Sequence, residues 1–356
     1  MDTSPPPVRP HKQEKEDASE EITEVAPGIR RLQLPIDFTG LGHVNCYAME
    51  DGRGVTLVDP GLPGEASWNA LLARLAAAEV PLERVHTVVV THSHPDHFGN
   101  AGLLAQETGA DIVAFERFRT FFDQMETDES ELEVRDSVAE EDAPPGAAWR
   151  RPTPWGGEPM GPPPERVREM RARAGEFFRW MKVPRPSVRV ADRGRLTLGG
   201  REWLGVFTPG HTDDHLCLFS EEDGVLLAGD QVLPTITPHI SGMLPDDSLG
   251  RYVDSLDDLV GLPDVAVVLP AHGHPFTDLG RRVDEIKVHH VERLAELQAI
   301  GDDLGWASVT DYSRRLFAER SWGAMAEDET YAHLEHLRMQ GRARQREESG
   351  VLLYRL

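Results

Sequence analysis

Within six residues this chain places His92, His94, Asp96 and His97, directly after the apolar run Val88-Val-Val. The run reads as a buried strand, and the polar turn that follows reads as that strand's end. Three imidazoles and a carboxylate cannot crowd one short turn cheaply unless a positive charge satisfies them. A metal does so, because neutral imidazole nitrogen and carboxylate oxygen are what zinc and its neighbours bind. Any fold adopted by this chain must therefore aim a strand end into a mouth and bring further donors there from elsewhere.

Three more apolar runs end in such donors. Val206-Phe-Thr-Pro-Gly leads to His211, Val225-Leu-Leu-Ala-Gly to Asp230, and Val265-Ala-Val-Val-Leu-Pro-Ala to His272. A fourth, Val55-Thr-Leu-Val, ends in Asp59. Each is weak alone, but rigid strands that end together aim functional groups into a common site.

Taken together these segments resemble the metallo-β-lactamase-fold hydrolases, whose five signature segments they match in order over residues 28–275. The resemblance implies an α+β fold, an αββα sandwich of two mixed sheets with helices outside. It also implies that His92, His94 and His211 hold one metal, that Asp96, His97 and His272 hold a second, and that Asp230 bridges them. Zinc-dependent enzymes that destroy β-lactam antibiotics carry Cys at the position of Asp230 and lack the histidine at 97. Asp230 with His97 instead resembles the glyoxalase II-like, lactonase and nuclease branches. The phrases Leu41-Gly-His-Val-Asn-Cys-Tyr and Gly229-Asp-Gln-Val-Leu-Pro-Thr-Ile-Thr-Pro-His-Ile look like a large group within that branch.

Two divalent cations sharing a water would supply hydroxide near neutral pH to attack a carbonyl or phosphoryl centre. Zinc is the first expectation, with iron or manganese acceptable to the same donors. Asp96 is the candidate catalytic residue, orienting the nucleophile as well as binding metal. Asp59 is assigned to the layer behind the ligands, where carboxylates fix imidazole tautomers. His43 and His239 are expected near the mouth as outer supports or substrate contacts, and His215 as a structural group.

Composition bounds the partners. A formal charge of −24 argues against wholesale nucleic-acid affinity, which needs clustered Lys and Arg. The two cysteines, Cys46 and Cys217, lie in apolar runs and read as reduced core residues. No apolar run approaches the roughly 20 residues of a membrane span. Residues 1–25, rich in Pro, Glu and Lys, lack the apolar heart of a signal peptide and read as a disordered or extended tail. A cytoplasmic protein is expected.

Residues 26–280 are expected to form the catalytic domain, with strands near 29–34, 44–49, 55–59, 85–90, 112–115, 203–207, 216–219, 225–228 and 265–269. Helices are expected at 65–79 and 99–108, the start of the second serving as an oxyanion aid. Residues 116–186 interrupt the pattern. They hold an aromatic group near Phe115, Phe118, Phe121 and Phe122, an acidic stretch, a Pro/Gly-rich loop and a basic helix from Arg166. A helical lid over an apolar pocket is expected there, with packing or a dimer contact as the alternative. Residues 281–356 read as a separate unit of three helices and a hairpin turning at Ser349-Gly350, a winged-helix-like tail.

The function expected is a dinuclear metal-dependent hydrolase that cleaves a thioester, ester or lactone of a small metabolite. Two alternatives stay open, an endoribonuclease or phosphodiesterase of the winged-helix lactamase-like type and a non-catalytic metal-binding regulatory protein. The expected partner is a small-molecule substrate. A homodimer is kept as a candidate, nucleic acid is disfavoured, and no membrane partner is expected.

Overall fold

The computed structural model describes residues 11–38, 40–120, 123, 152–157, 159–161, 165 and 179–356. Two sheets face one another. The first runs β1 (Thr23–Ala26), β2 (Ile29–Phe38), β3 (Leu41–Glu50), β4 (Val55–Val58), β5 (Val85–Val89), β6 (Asp111–Phe115) and β7 (Val188–Val190) in sequence order. It is antiparallel as far as β4 and parallel from there on. The second contains β8 (Arg195–Leu198), β9 (Arg201–Phe207), β10 (Leu216–Ser220), β11 (Val225–Gly229) and β12 (Val267–Pro270), in the order β12-β11-β10-β9-β8. Only its β11–β12 pair is parallel.

Strand periodicity sorts side chains into layers. In β10, Leu216 and Leu218 face the other sheet, while Cys217 and Phe219 face the helices behind. In β11, Val225 and Leu227 take the first role and Leu226 and Ala228 the second. Helices α1 (Glu65–Ala77) and α3 (Ala101–Thr108), separated by the single turn α2 (Pro95–Phe98), cover the back of the first sheet through Trp68, Leu71, Leu75 and Leu104. Helix α4 (Ser248–Val260) covers the second through Tyr252, Leu256 and Leu259. The result is the expected αββα sandwich.

Helices α5 (Leu279–Leu304), α6 (Val309–Leu316) and α7 (Ala324–Met339) follow, with a short β13 (Ala307–Ser308) before α6. The hairpin β14 (Arg344–Glu348) and β15 (Val351–Arg355) then pairs with β13, in the order β13-β15-β14. The expected boundary at 280 falls in the first turn of α5. That helix has one apolar face, and Val283 and Ile286 pack in the same core as Leu334, Leu337 and Tyr354. The tail therefore shares a core with the outer layer of the second sheet.

Two local expectations are corrected and a third is narrowed. From residue 11 the N-terminal segment is not a loose tail: a 3-10 turn (Gln13–Lys15) buries Glu14 completely, and β1 follows. The Glu14 carboxylate accepts the amides of Thr235 (2.7 Å) and Ile236 (3.1 Å), which offsets the cost of burying its charge. The histidine motif is not a plain turn, because it includes the helical turn α2, opened by a proline at its first position. The amide of Asn100, at the start of α3, donates to the Gly61 carbonyl at 3.2 Å and is therefore unavailable as an oxyanion donor.

Of the expected lid, Phe121, Phe122, the acidic stretch and the helix from Arg166 through Phe178 lie outside the described residues. The described aromatics pack. Phe115 stacks on Phe207 (4.3 Å between centroids) and Phe118 meets Phe98 edge-on. Trp155 lies against Tyr331 of α7 and donates its indole N–H to Glu327 at 3.1 Å.

Candidate metal centre

The mouth forms where the carboxyl ends of β4, β5, β9, β11 and β12 meet. Backbone bonds stitch the two sheets there, Leu216 N–H donating to Thr91 O (2.8 Å) and Asn45 N–H to Ala271 O (2.7 Å), while Ala271 N–H donates to Gly229 O (2.8 Å) and extends the β11–β12 pairing. Gly229 adopts φ +51°, and a Cβ on it would lie 2.6 Å from His215 Nε2, so the chain can enter Asp230 only through glycine.

All seven expected ligands converge. His92, His94, His211 and Asp230 form one group that could hold a metal, and Asp96, His97 and His272 form a second. Asp230 reaches both: one carboxylate oxygen is 3.5 Å from His211 Nε2 and 3.7 Å from His97 Nε2, and the other is 3.2 Å from His272 Nε2. Asp96 Oδ2 lies 3.4 Å from His272 Nε2 and 3.5 Å from His97 Nε2.

The outer contacts fix which nitrogens face inward. His211 Nδ1–H donates to His239 O at 2.7 Å, and His272 Nδ1–H donates to His43 O at 2.7 Å. His97 Nδ1–H donates to Asp59 Oδ2 at 2.9 Å. Thr91 Oγ1–H also donates to Asp59 (2.7 Å), which leaves that hydroxyl to accept His92 Nδ1–H at 3.0 Å. Each of these four imidazoles thus turns Nε2 to the centre. His94 Nδ1 is 3.0 Å from His92 Nε2 and 3.1 Å from His211 Nε2, and one ring proton cannot satisfy both neighbours. His97 Nε2, His272 Nε2 and Asp230 Oδ1 are buried without any hydrogen-bond partner. A set of inward imidazole nitrogens and carboxylate oxygens, several of them without a hydrogen-bond partner, fits cations and little else.

Electrostatics divides the centre in the same way. Burial, then His97 and His94, push His92 well below the ordinary imidazole range; burial and His211 bring His94 to about 3. Burial alone would lower His97, but Asp96, Asp230 and Asp59 hold it well above the ordinary value. His272 is likewise raised against burial by Asp230 and Asp96. Burial would raise the two carboxylates, yet His97 and then His272 draw Asp96 down to about 2. Asp230 falls well below its ordinary value through His272 and His97. In the first group His92 and His94 are neutral donors near one carboxylate. The second alternates sign.

Asp59 sits where expected, behind His97. It adopts φ +53°, a conformation costly for a non-glycine residue, and its carboxylate binds the amide and hydroxyl of Thr91 and the ring of His97 at once. His43 and His239 are outer supports. The His43 ring is fixed between Glu16 O (2.8 Å) and the Gly273 amide (3.1 Å), and His239 Nε2 meets Asp328 of α7 at 3.0 Å. His215 accepts the Asp230 amide on Nε2 (3.1 Å) and donates from Nδ1 to Thr208 Oγ1 (2.7 Å). Sequence reasoning missed Asp214, whose buried carboxylate, raised by that burial to about 6, accepts the Ser93 hydroxyl at 3.1 Å between two ligands. Its place directly before His215 was the only signal available.

Residues 39–272 match the family model described as the Metallo-beta-lactamase superfamily. Over 149 residues the chain is 32% identical to "Lactamase-like protein nscB" of Neosartorya fischeri, an alignment covering 42% of this chain and 43% of that one. It therefore spans less than half the length of that curated relative. Over 262 residues it is 26% identical to "Probable metallo-hydrolase YqjP" of Bacillus subtilis, covering 71% of this chain and 74% of that one. The solved structure of a metallo-beta-lactamase family protein from Thermus thermophilus overlays with a TM-score of 0.71 at 28% identity. That overlay covers 94% of this chain and all (100%) of the other. With the match extending over most of the chain and the sandwich and its donors in place, this chain belongs to the metallo-β-lactamase superfamily.

Proposed function

We propose that this chain is a hydrolase working with two divalent cations, and that its substrate is a thioester, ester or lactone of a small metabolite. The observation that carries the reading is the ring of inward Nε2 atoms whose Nδ1 partners are engaged outward, on Asp59, Thr91, His43 O and His239 O. His92, His94 and His211 would hold one cation, Asp96, His97 and His272 the other, with Asp230 shared between them. When bound, such a pair of cations polarises a carbonyl oxygen and makes water a competent nucleophile near neutral pH. The protein's part is orientation. Asp96 keeps its charge through the neutral range and can orient or accept a proton on Oδ2. Asp59 prevents His97 from turning. Neither cysteine is suited to act as nucleophile, since both thiols are buried and burial raises their pKa values.

A carboxylate at 230 favours thioester, ester or lactone cleavage over β-lactam opening, on the family resemblance. The name of the Bacillus subtilis relative supports the reaction class and no particular substrate. One observation favours phosphodiester cleavage as a second reading. Arg342, Arg344 and Arg355 line a cleft of about 340 Å³ on the C-terminal hairpin, with Arg344 directly opposite Arg355. It ranks second because the hairpin is not among the strand ends that carry the histidines.

Elemental analysis by mass spectrometry on the purified chain tests the reading. About two equivalents of zinc, iron or manganese are expected, with metal and hydrolysis both lost in His94→Ala. A panel of acyl thioesters, lactones, β-lactams and RNA assigns the bond. Strong RNA cleavage with inert thioesters would reverse the order of the two readings, and a parent that holds metal but hydrolyses nothing would leave the non-catalytic metal-binding alternative.

A further inference from the structure

The outer support of His211 leads out of the sandwich. Its Nδ1–H is held by the carbonyl of His239 at 2.7 Å, and no strand fixes that carbonyl. The loop is held instead by one carboxylate of the C-terminal helix α7. Asp328, 1% exposed, binds His239 Nε2 through one oxygen (3.0 Å) and the Gly242 amide through the other (2.9 Å). Ile240, between the two anchor points, is buried in the core that α7 shares. The approach is close enough to exclude side chains at Gly242: a Cβ there would lie 2.6 Å from the Tyr331 ring, 2.9 Å from Ala332 N and 3.0 Å from Asp328 O. Glu329 lies on the other side of the His239 ring, 3.6 Å from Nδ1.

We propose that Asp328 is a positioning residue for the metal cage, clamping residues 239–242 so that the His239 carbonyl holds His211 in the tautomer that turns Nε2 inward. The inference rests on the two-cation reading above and deepens it, because it makes the C-terminal helices a structural part of the centre. Partners of this kind behind metal-bound histidines change metal affinity by about 10–100-fold when removed.

The test measures zinc affinity of the full chain by competition with a chromophoric chelator, beside the proton and nitrogen resonances of His211 in metal-free protein. Asp328→Asn and Asp328→Ala are expected to weaken zinc binding by about tenfold or more and to broaden or shift the His211 Nδ1–H signal. Leu297→Ala loosens the same core without touching the loop, and should lower thermal stability while leaving affinity within about twofold of the parent. Folded Asp328 variants with parental affinity and a parental His211 signal would overturn the proposal. Should those variants not fold, His239→Gln and His239→Leu decide. Glutamine can donate an amide to Asp328 and is expected to retain affinity where leucine loses it; equal affinities overturn the clamp. A parent that binds no cation would sink the two-cation reading. The His211 signal, compared between the parent and Asp328→Asn, would then still decide this inference.

Discussion

The two walls of the centre are built differently. On the motif wall, His92 and His97 are supported by Thr91 and Asp59, residues that follow the adjacent strands β5 and β4. On the opposite wall, His211 and His272 are supported only by backbone carbonyls, of His239 and His43. Those carbonyls lie where remote segments clamp the chain. Glu16 holds the ring of His43, while Glu14, Arg282 of α5 and Asp328 of α7 hold residues 233–242. One wall is local and self-contained. The other depends on both ends of the chain, so metal retention should respond to substitutions far from the strands.

Breaking the element common to both walls should have the largest effect. Asp230→Ala removes the carboxylate shared by the two groups, and elemental analysis should find far less than one equivalent of metal. The loss of hydrolysis should exceed the 10–100-fold expected for an outer support. The local wall is tested next with Asp59→Ala, which frees His97 and leaves the Thr91 amide unpaired. Metal affinity should fall by about 10–100-fold in a chelator titration, and Asp59→Asn, which tolerates the left-handed backbone, should separate that loss from strain. On the other wall, Glu14→Ala leaves two amides and a hydroxyl without their acceptor and should cost about 1–3 kcal/mol in denaturant unfolding. Its effect on affinity should be smaller than that of Asp59→Ala; the reverse order would dissolve the contrast between the walls.

The effect expected to touch the metal centre least concerns acid. His290 of α5 and His333 of α7 are buried together at 3.1 Å, and burial lowers them to about 3 and about 4. The unfolded chain would bind protons on both from its ordinary value of 6.5 downward, so it takes up more protons than the folded form in that window. Stability should therefore fall as pH drops from about 6.5 towards 4, by up to about 1.4 kcal/mol per histidine per pH unit. His290→Leu, which also removes an acceptor nitrogen with no partner, should flatten the profile measured by thermal melts at several pH values.

What the sequence made legible divides along the same line. All seven donors announced themselves, because each follows an apolar strand and precedes a turn, a local pattern with a chemical reason. Asp59 was legible for the same cause. Glu14, Asp214 and Asp328 were not, since a carboxylate in a polar segment looks solvated until tertiary packing buries it beside unpaired amides. Helix α4 was overlooked although Leu249, Tyr252, Leu256 and Leu259 recur at helical spacing, with Asp247 capping the first turn by accepting the Gly250 amide at 2.9 Å. Its glycine and three interior aspartates lowered the apparent propensity, which the buried face overrides. The anchoring of the turn at Gln13–Lys15 was hidden by a charged, proline-rich composition whose one decisive carboxylate is 221 positions away from its partner.

The sandwich also carries a natural gauge of its own opening. Cys46 sits between the first sheet and its helices, and Cys217 sits between the second sheet and its own. Neither sulfur is accessible, so alkylating reagents will modify them only as fast as each helical layer lifts from its sheet. Following the two sites separately by peptide mass would time the two outer leaves independently, and would reveal which one parts first when a chelator is added.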